Sequence, residues 1–119
     1  MIGCEITTRS YNVGKLVQVI DVNGFVDAHT YSELADVLNG LIAEGNYNLI
    51  LDLKDLEYIS SAGFTVLLAT ARNVREKQGD LRLVNLPPRI RKIADVLGCS
   101  SIIKIFDDPK EALASFKTS

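Results

Sequence analysis

Two adjacent serines, Ser60 and Ser61, stand where a predicted strand gives way to a predicted helix. The first backbone N–H groups of a helix lack intrahelical partners and carry the positive end of the helix dipole, which suits an added phosphate. Serine is also a common N-cap residue, so the same position fits an ordinary helix start. The spacing predicts a phosphoserine switch, and helix capping is the alternative role of one hydroxyl.

The elements that position these serines follow from hydrophobic periodicity and turn residues. We predict strands over residues 5–9, 15–22, 48–53, 81–84 and 101–106, and helices over about 30–44, 62–78, 87–97 and 109–116. The order is ββαβαβαβα, which predicts an α/β fold with a mixed β-sheet and crossover helices in a single domain over residues 1–119. Loops after the carboxyl ends of parallel strands form the usual functional edge of such sheets, and both serines lie on that edge.

Composition excludes several classes of function. The chain has 119 residues with 47% hydrophobic content and a net charge of −2, which suits one core and gives no basic surface for nucleic acid. It lacks an apolar run of ~20 residues and a signal peptide at Met1, so we expect a cytoplasmic protein without membrane contact. Cys4 and Cys99 form no CxxC pair, and the only histidine is His29, so we expect reduced cysteines, no metal and no cofactor.

Two segments resemble the motifs of a known family. Residues 24–30 read GFVDAHT, similar to the pattern G-x-[LV]-D-x-x-[TN] that precedes the first helix of the family. Residues 52–64 read DLKDLEYISSAGF, similar to the pattern D-L-x-x-[LV]-x-[FY]-[ILM]-D-S-[ST]-G-[LF]. On these residues the chain resembles the STAS domain family, and within it the bacterial anti-sigma factor antagonists.

The resemblance implies roles for individual residues. The family's phosphoacceptor directly follows the motif aspartate, and this position is Ser61 here, while Ser60 stands in place of the aspartate and is the alternative acceptor. Ala62 stands where Ser or Thr is usual, and Gly63 matches the motif glycine. The implied partner-binding residues are Asp27, Ser60, Ser61 and Gly63.

The resemblance also implies a mechanism, which is partner switching. The unphosphorylated antagonist binds an anti-sigma factor that is itself a serine protein kinase, and the sigma factor is released. Phosphorylation inactivates the antagonist, and a PP2C-type phosphatase restores it. A phosphate adds about −1.5 to −2 charges, which a free helix N-terminus tolerates and an acidic or apolar partner surface repels.

Asp27 and His29 lie in the loop before the first helix and have simpler interpretations. We expect Asp27 to lie near Ser61, because both loops belong to one sheet edge, and it has an alternative role as an N-cap together with Thr30. His29 is interpreted as a surface residue, since no third group is placed by the sequence to orient it as a base. Neither residue is predicted to be catalytic.

Two other classes of protein fit the sequence poorly. A phospho-aspartate receiver could use Asp52 and Lys104, but receivers open with a β-α unit and carry an acidic pair after their first strand, whereas this chain opens with two strands. A serine hydrolase would need a G-x-S-x-G elbow, which is absent, and a histidine after its serine. We therefore predict a binding protein without enzymatic activity, and self-association through the N-terminal edge strand is an open possibility.

Overall fold

The computed structural model describes residues 3–117. Four residues lie outside the described ones: Met1, Ile2, Thr118 and Ser119. They include both ends of the predicted domain and the first two residues of the N-terminal segment in which a signal peptide was sought. The strands are β1 (Cys4–Asn12), β2 (Leu16–Val26), β3 (Asn48–Asp52), β4 (Leu56–Ile59), β5 (Asp80–Val84) and β6 (Lys104–Phe106). The helices are α1 (Tyr31–Ala43), α2 (Ser61–Glu76), α3 (Pro88–Val96) and α4 (Pro109–Lys117), with a short 3₁₀ helix at Cys99–Ser101.

The predicted fold is confirmed, with two differences in detail. The structure adds the short strand β4 between β3 and α2, which the sequence pattern merged into a loop. The last strand begins at Lys104 and not near Ser101, because the chain first forms the 3₁₀ helix after Gly98, whose φ of +80° is a left-handed conformation that glycine adopts without strain. The mixed sheet with crossover helices stands as predicted.

The sheet has the strand order β1-β2-β3-β5-β6, and β4 pairs with β2 beyond the end of β3. The pair β1 and β2 is antiparallel, and every other pair is parallel. The carboxyl ends of the parallel strands therefore meet at one edge, where the loops into α1 and α2 both start. β1 is an edge strand, as expected.

The two faces of the sheet are covered unequally. One face packs on a core cluster that includes Leu34 and Leu38 of α1, Leu67 of α2 and Ile90 of α3. The other face packs on a smaller cluster around Phe116 of α4. The central strands β3 and β5 are buried on both faces, as expected for strands between two helical layers.

Arg82 is a buried cation in β5 on the face that α4 covers. Its guanidinium bonds Asp80 at 3.0 Å and the Ser115 hydroxyl at 2.6 Å, and it stacks over the Phe116 ring at 3.9 Å from the centroid. Burial raises the pKa of Asp80, but hydrogen bonds from Arg75 and Arg82 outweigh this, and the pKa ends below its ordinary value. The buried charge is thus paired and hydrogen-bonded, as burial of a charge requires.

The helices are short relative to a lipid bilayer. Over residues 3–117, none of them combines the length and the apolar character that a membrane crossing requires.

Cys99 is buried and Cys4 is half-buried, and both are free thiols.

Candidate functional site

The site begins with the pairing of β2 and β4. Val26 and Ile59 are register partners in this parallel pair, so the residues that follow them, Asp27 and Ser60, leave the sheet side by side. The Ser60 N–H donates to the Val26 carbonyl at 2.8 Å, which extends the ladder by one bond. The structure thereby brings the loop before α1 and the start of α2 together, as the sequence predicted.

Ser60 is the N-cap of α2. Its backbone is extended, and its Oγ accepts a hydrogen bond from the Gly63 N–H at 3.2 Å. The Ser60 carbonyl accepts the Phe64 N–H at 3.0 Å, which is the first bond of the helix. The capping role foreseen for one of the two hydroxyls therefore falls to Ser60, whose side chain is half-buried.

Ser61 is the first residue of α2 and is exposed. Its carbonyl accepts a hydrogen bond from the Thr65 hydroxyl at 2.9 Å, but its own Oγ has no partner among residues 3–117. The hydroxyl therefore lies in solvent beside the positive end of the helix dipole. The two serines differ in availability, since one hydroxyl is engaged and the other is free.

Gly63 is buried where α2 crosses the ends of β2 and β4. A Cβ atom built at this residue would lie 2.6 Å from Ile59 Cγ1 and 2.8 Å from Val26 Cγ1. Only glycine lets the first turn of α2 approach the two strands this closely. Phe64, the next residue, packs its ring in the core and is 2% exposed.

Asp27 organises the loop before α1. Its Oδ1 accepts hydrogen bonds from the N–H groups of His29 at 2.8 Å and Thr30 at 3.1 Å, and the Thr30 hydroxyl oxygen lies 3.2 Å away. The His29 N–H first, and then the Thr30 donors, hold the pKa of Asp27 below its ordinary value.

Thr30 is the N-cap residue of α1, but its hydroxyl caps no helix N–H and instead donates to the Phe25 carbonyl at 2.6 Å. Asp27 therefore closes the turn that precedes the helix, and neither side chain caps a helix N–H, so the predicted capping role of Asp27 with Thr30 is wrong. His29 is exposed, as interpreted from the sequence.

Asp52 and Lys104, the pair that a receiver would use, are separated. Asp52 is 8% exposed, and its Oδ1 accepts the Lys54 N–H at 3.1 Å and the Asn85 side-chain amide at 3.2 Å. Lys104 lies on β6, two strands away from β3, where it aligns with Arg82 of β5 and stands two residues before the end of its own strand. The buried carboxylate closes the loop after β3, and no lysine of the described chain forms an ion pair with it.

Sequence reasoning did not assign two features beside the site. Tyr58 on β4 is 45% exposed, and its register partner on β2 is Phe25. The Arg89 guanidinium donates to the Glu57 carbonyl and ties the start of α3 to β4. Neither feature has a local sequence signal, because each depends on the pairing of β4.

Within residues 3–117, no three ligating side chains come together in a metal-binding arrangement.

The family model described as the STAS domain matches residues 10–112, which is most of the sequence. This chain belongs to the STAS domain family. The match includes both segments in which the resemblance was noted and the strands and helices that carry them.

Curated relatives of this STAS domain bear related names. BtrV of Bordetella bronchiseptica, provisionally named an anti-sigma factor antagonist, is 35% identical over 98 residues, covering 82% of this chain and 84% of that protein. The anti-sigma-B factor antagonist of Bacillus subtilis is 33% identical over 86 residues, covering 72% of this chain and 78% of that protein.

Solved structures share the fold of this STAS domain. An anti-sigma factor antagonist from Mycobacterium paratuberculosis superposes with a TM-score of 0.83 at 21% identity, covering 94% of this chain and 92% of that one. SpoIIAA of Bacillus in its phosphorylated form superposes with a TM-score of 0.68 at 21% identity, covering 92% and 99%. At these identities the likeness establishes the architecture.

Proposed function

We propose that this STAS domain is an anti-sigma factor antagonist that acts by partner switching, with Ser61 as its phosphoacceptor. In the unphosphorylated form it binds an anti-sigma factor that is also a serine protein kinase, and the sigma factor is released. Phosphorylation of Ser61 ends the binding, and a PP2C-type phosphatase restores it. In this role the chain is a binding protein and not an enzyme, and it acts in the cytoplasm, where sigma factors work. The names of the two curated relatives support the assignment.

The free hydroxyl of Ser61 is the observation that carries the proposal. A kinase can reach this hydroxyl without breaking any bond within residues 3–117, because its Oγ is exposed and unbonded. Ser60, the alternative acceptor, is a poorer substrate, since its Oγ caps the Gly63 N–H and its side chain is half-buried. The cap also explains how the chain tolerates serine where the family motif has aspartate, because both residues are good N-caps.

The charge of a phosphate on Ser61 supplies the switch. The added charge of about −1.5 to −2 would lie at the N-terminus of α2, which favours it by about 0.3–1 kcal/mol in the free protein. Asp27 leaves the sheet next to Ser60, so the phosphate would join a carboxylate already ionised at neutral pH. The free form is thus little affected, while a partner that covers this edge must accommodate two neighbouring negative groups.

Intact-mass analysis of the protein purified from its own host tests the phosphoacceptor. We expect the mass of one phosphate, mapped to Ser61 by fragmentation and lost in Ser61→Ala. Ser32→Ala is the matched control, because Ser32 is also an exposed serine in the first turn of a helix that starts at this sheet edge. Phosphate on Ser60, or phosphate that persists in Ser61→Ala, contradicts the assignment.

Isothermal titration with the kinase-type anti-sigma factors of the host genome tests the partner. We expect wild type and Ser61→Ala to bind one of them alike, and Ser61→Asp to bind at least about tenfold more weakly, which corresponds to about 1.4 kcal/mol. Lys110→Glu makes the charge more negative on α4, which packs on the opposite face of the sheet, and should bind like wild type. Binding without any release of a sigma factor would favour the alternative function, a STAS interaction module in another signalling assembly.

Self-association through β1 is a further part of the proposal. β1 is an edge strand with one side unpaired in the described chain, and such edges can add a strand from a second copy. Sedimentation velocity over a range of concentrations measures this weak homodimer directly. Constant monomer at all concentrations would exclude it.

A further inference from the structure

The exposed apolar side chains of this protein concentrate on one surface. Of the large hydrophobic side chains exposed in residues 3–117, half fall between residues 93 and 102, and Val96 is 80% exposed. Ile93, Val96 and Leu97 are spaced i, i+3, i+4, which places them on one side of α3. Ile102 follows in the 3₁₀ turn and is 50% exposed. A contiguous exposed apolar patch of this kind marks an interaction site more often than isolated residues do.

The patch continues onto α2. A groove of about 410 Å³ is lined by Leu68, Arg72, Arg75, Glu76 and Ile102. The Arg75 guanidinium donates to the Ile102 carbonyl at 2.6 Å and so fixes the 3₁₀ turn against the end of α2. The groove is therefore a formed feature between α2 and the turn that carries Ile102.

The charge around the patch differs in sign from that of the whole chain. The last turns of α2 from Arg72 to Glu76, together with α3, carry five arginine and lysine residues against two acidic ones, whereas the net charge of the chain is −2. Arg72 and Lys92 form no ion pair with any residue of the described chain, so their charges are available to a partner. An apolar centre with a basic rim fits a protein surface with apolar residues and an acidic rim.

The same surface leads to the phosphoacceptor. Ser61, Thr65, Leu68 and Arg72 are spaced i, i+4, i+7 and i+11 along α2, so they follow one side of the helix. Eleven residues span roughly 16 Å of helix, whereas an interface of standard size buries about 800 Å² on each partner and is roughly 30 Å across. A single partner can cover Ser61 and the groove beside Leu68 and Arg72 together.

We propose that Ile93, Val96, Leu97 and Ile102, with the groove beside Leu68 and the basic rim at Arg72 and Lys92, form the main docking surface for an acidic face of the anti-sigma factor. This inference rests on the proposed function and adds where the affinity resides. Ser61 then lies at the rim, where a phosphate changes binding without contributing to the apolar contact. An anionic bilayer fits less well, because Glu76 and Asp95 lie within the same surface.

Titration of Val96→Glu against the anti-sigma factor that binds wild type tests the surface. We expect a loss of at least about tenfold in Kd. Leu16→Glu is the matched control, since Leu16 is likewise an exposed aliphatic residue, at 50%, but lies in the β1–β2 hairpin, and it should bind within about twofold of wild type. Circular dichroism verifies that both variants fold.

The charge of the rim is tested separately. Arg72→Glu should weaken binding and reduce its dependence on salt, while Lys110→Glu on α4 should do neither. If no anti-sigma factor binds wild type, the proposed function fails and the docking surface fails with it. If wild type binds and Val96→Glu binds equally well, the docking surface alone is overturned. Flotation of wild type, but not of Val96→Glu, with phosphatidylglycerol vesicles would overturn it in favour of a membrane surface.

Discussion

Substitution of Gly63 by alanine probes the packing that positions the candidate site. The added Cβ would meet Ile59 Cγ1 at 2.6 Å and Val26 Cγ1 at 2.8 Å, about 1 Å short of an ordinary carbon contact of about 3.5–4.0 Å. Val26 and Ile59 are 0% and 3% exposed, so neither side chain can move into solvent. Either the strands or the first turn of α2 must shift.

The magnitude follows from two opposing effects. Overpacking of a filled core costs about 1–3 kcal/mol, while replacement of a helical glycine by alanine gains about 0.5–1 kcal/mol. We expect Gly63→Ala to lower the free energy of unfolding by about 0.5–2 kcal/mol. Gly40→Ala is the matched control, because Gly40 is also helical but nothing lies within 4 Å of its built Cβ. That variant should gain about 0.5–1 kcal/mol.

Urea unfolding monitored by circular dichroism measures both variants, and their difference of about 1–3 kcal/mol isolates the steric cost because the change in helix propensity is common to both. Equal stability of Gly63→Ala and Gly40→Ala would refute the argument that α2 touches β2 and β4 at this point. The position of Ser61 would then need another explanation.

Three further predictions concern single side chains. Ser60→Ala removes the cap of α2 and should cost about 1 kcal/mol in urea unfolding, while Ser60→Asp, which can still cap, should cost clearly less. Ser61→Asp breaks no bond and adds a negative charge at the helix N-terminus, so its stability should equal that of wild type or exceed it by up to about 1 kcal/mol; a clear loss would show that the hydroxyl is engaged. Because hydrogen bonds from Arg75 and Arg82 depress the pKa of Asp80, its stabilising contribution is fully present above the unfolded pKa of about 3.9 and is lost as pH falls through the folded value. The melting temperature should therefore fall less steeply for Asp80→Asn than for wild type when the pH is lowered from neutral to below ~4. Identical dependence of the two melting temperatures on pH would contradict this.

Local signals in the sequence were sufficient for most of the fold. The helix starts at Ser60 and Pro87 and the stop near Gly45 are encoded within a few residues, and the structure has these helix ends close to the predicted positions. The exposed edge strand β1 also followed from the opening hairpin. The order of the parallel strands could not be read from the sequence, because it depends on contacts between distant residues.

The sequence predicted where the candidate site lies but not which of its two serines caps the helix. The sequence placed Ser60 and Ser61 at the start of a helix, but only the backbone geometry shows which hydroxyl caps it. The strand β4 was missed because its four residues pair with β2 past an irregularity between Gly24 and Phe25, which is a long-range feature. The same pairing places Asp27 beside Ser60.

The hydrogen bond between the Ser60 N–H and the Val26 carbonyl, at 2.8 Å, has a consequence for how a signal would be stored. It fixes the start of α2 to the strand that leads into the Asp27 loop, and a phosphate on the exposed Ser61 hydroxyl would be added without breaking this bond. The information would then reside in a covalent bond and not in a second shape of the protein. Such a device would have no conformational relaxation time, and its response would be as fast as the enzymes that added and removed the phosphate.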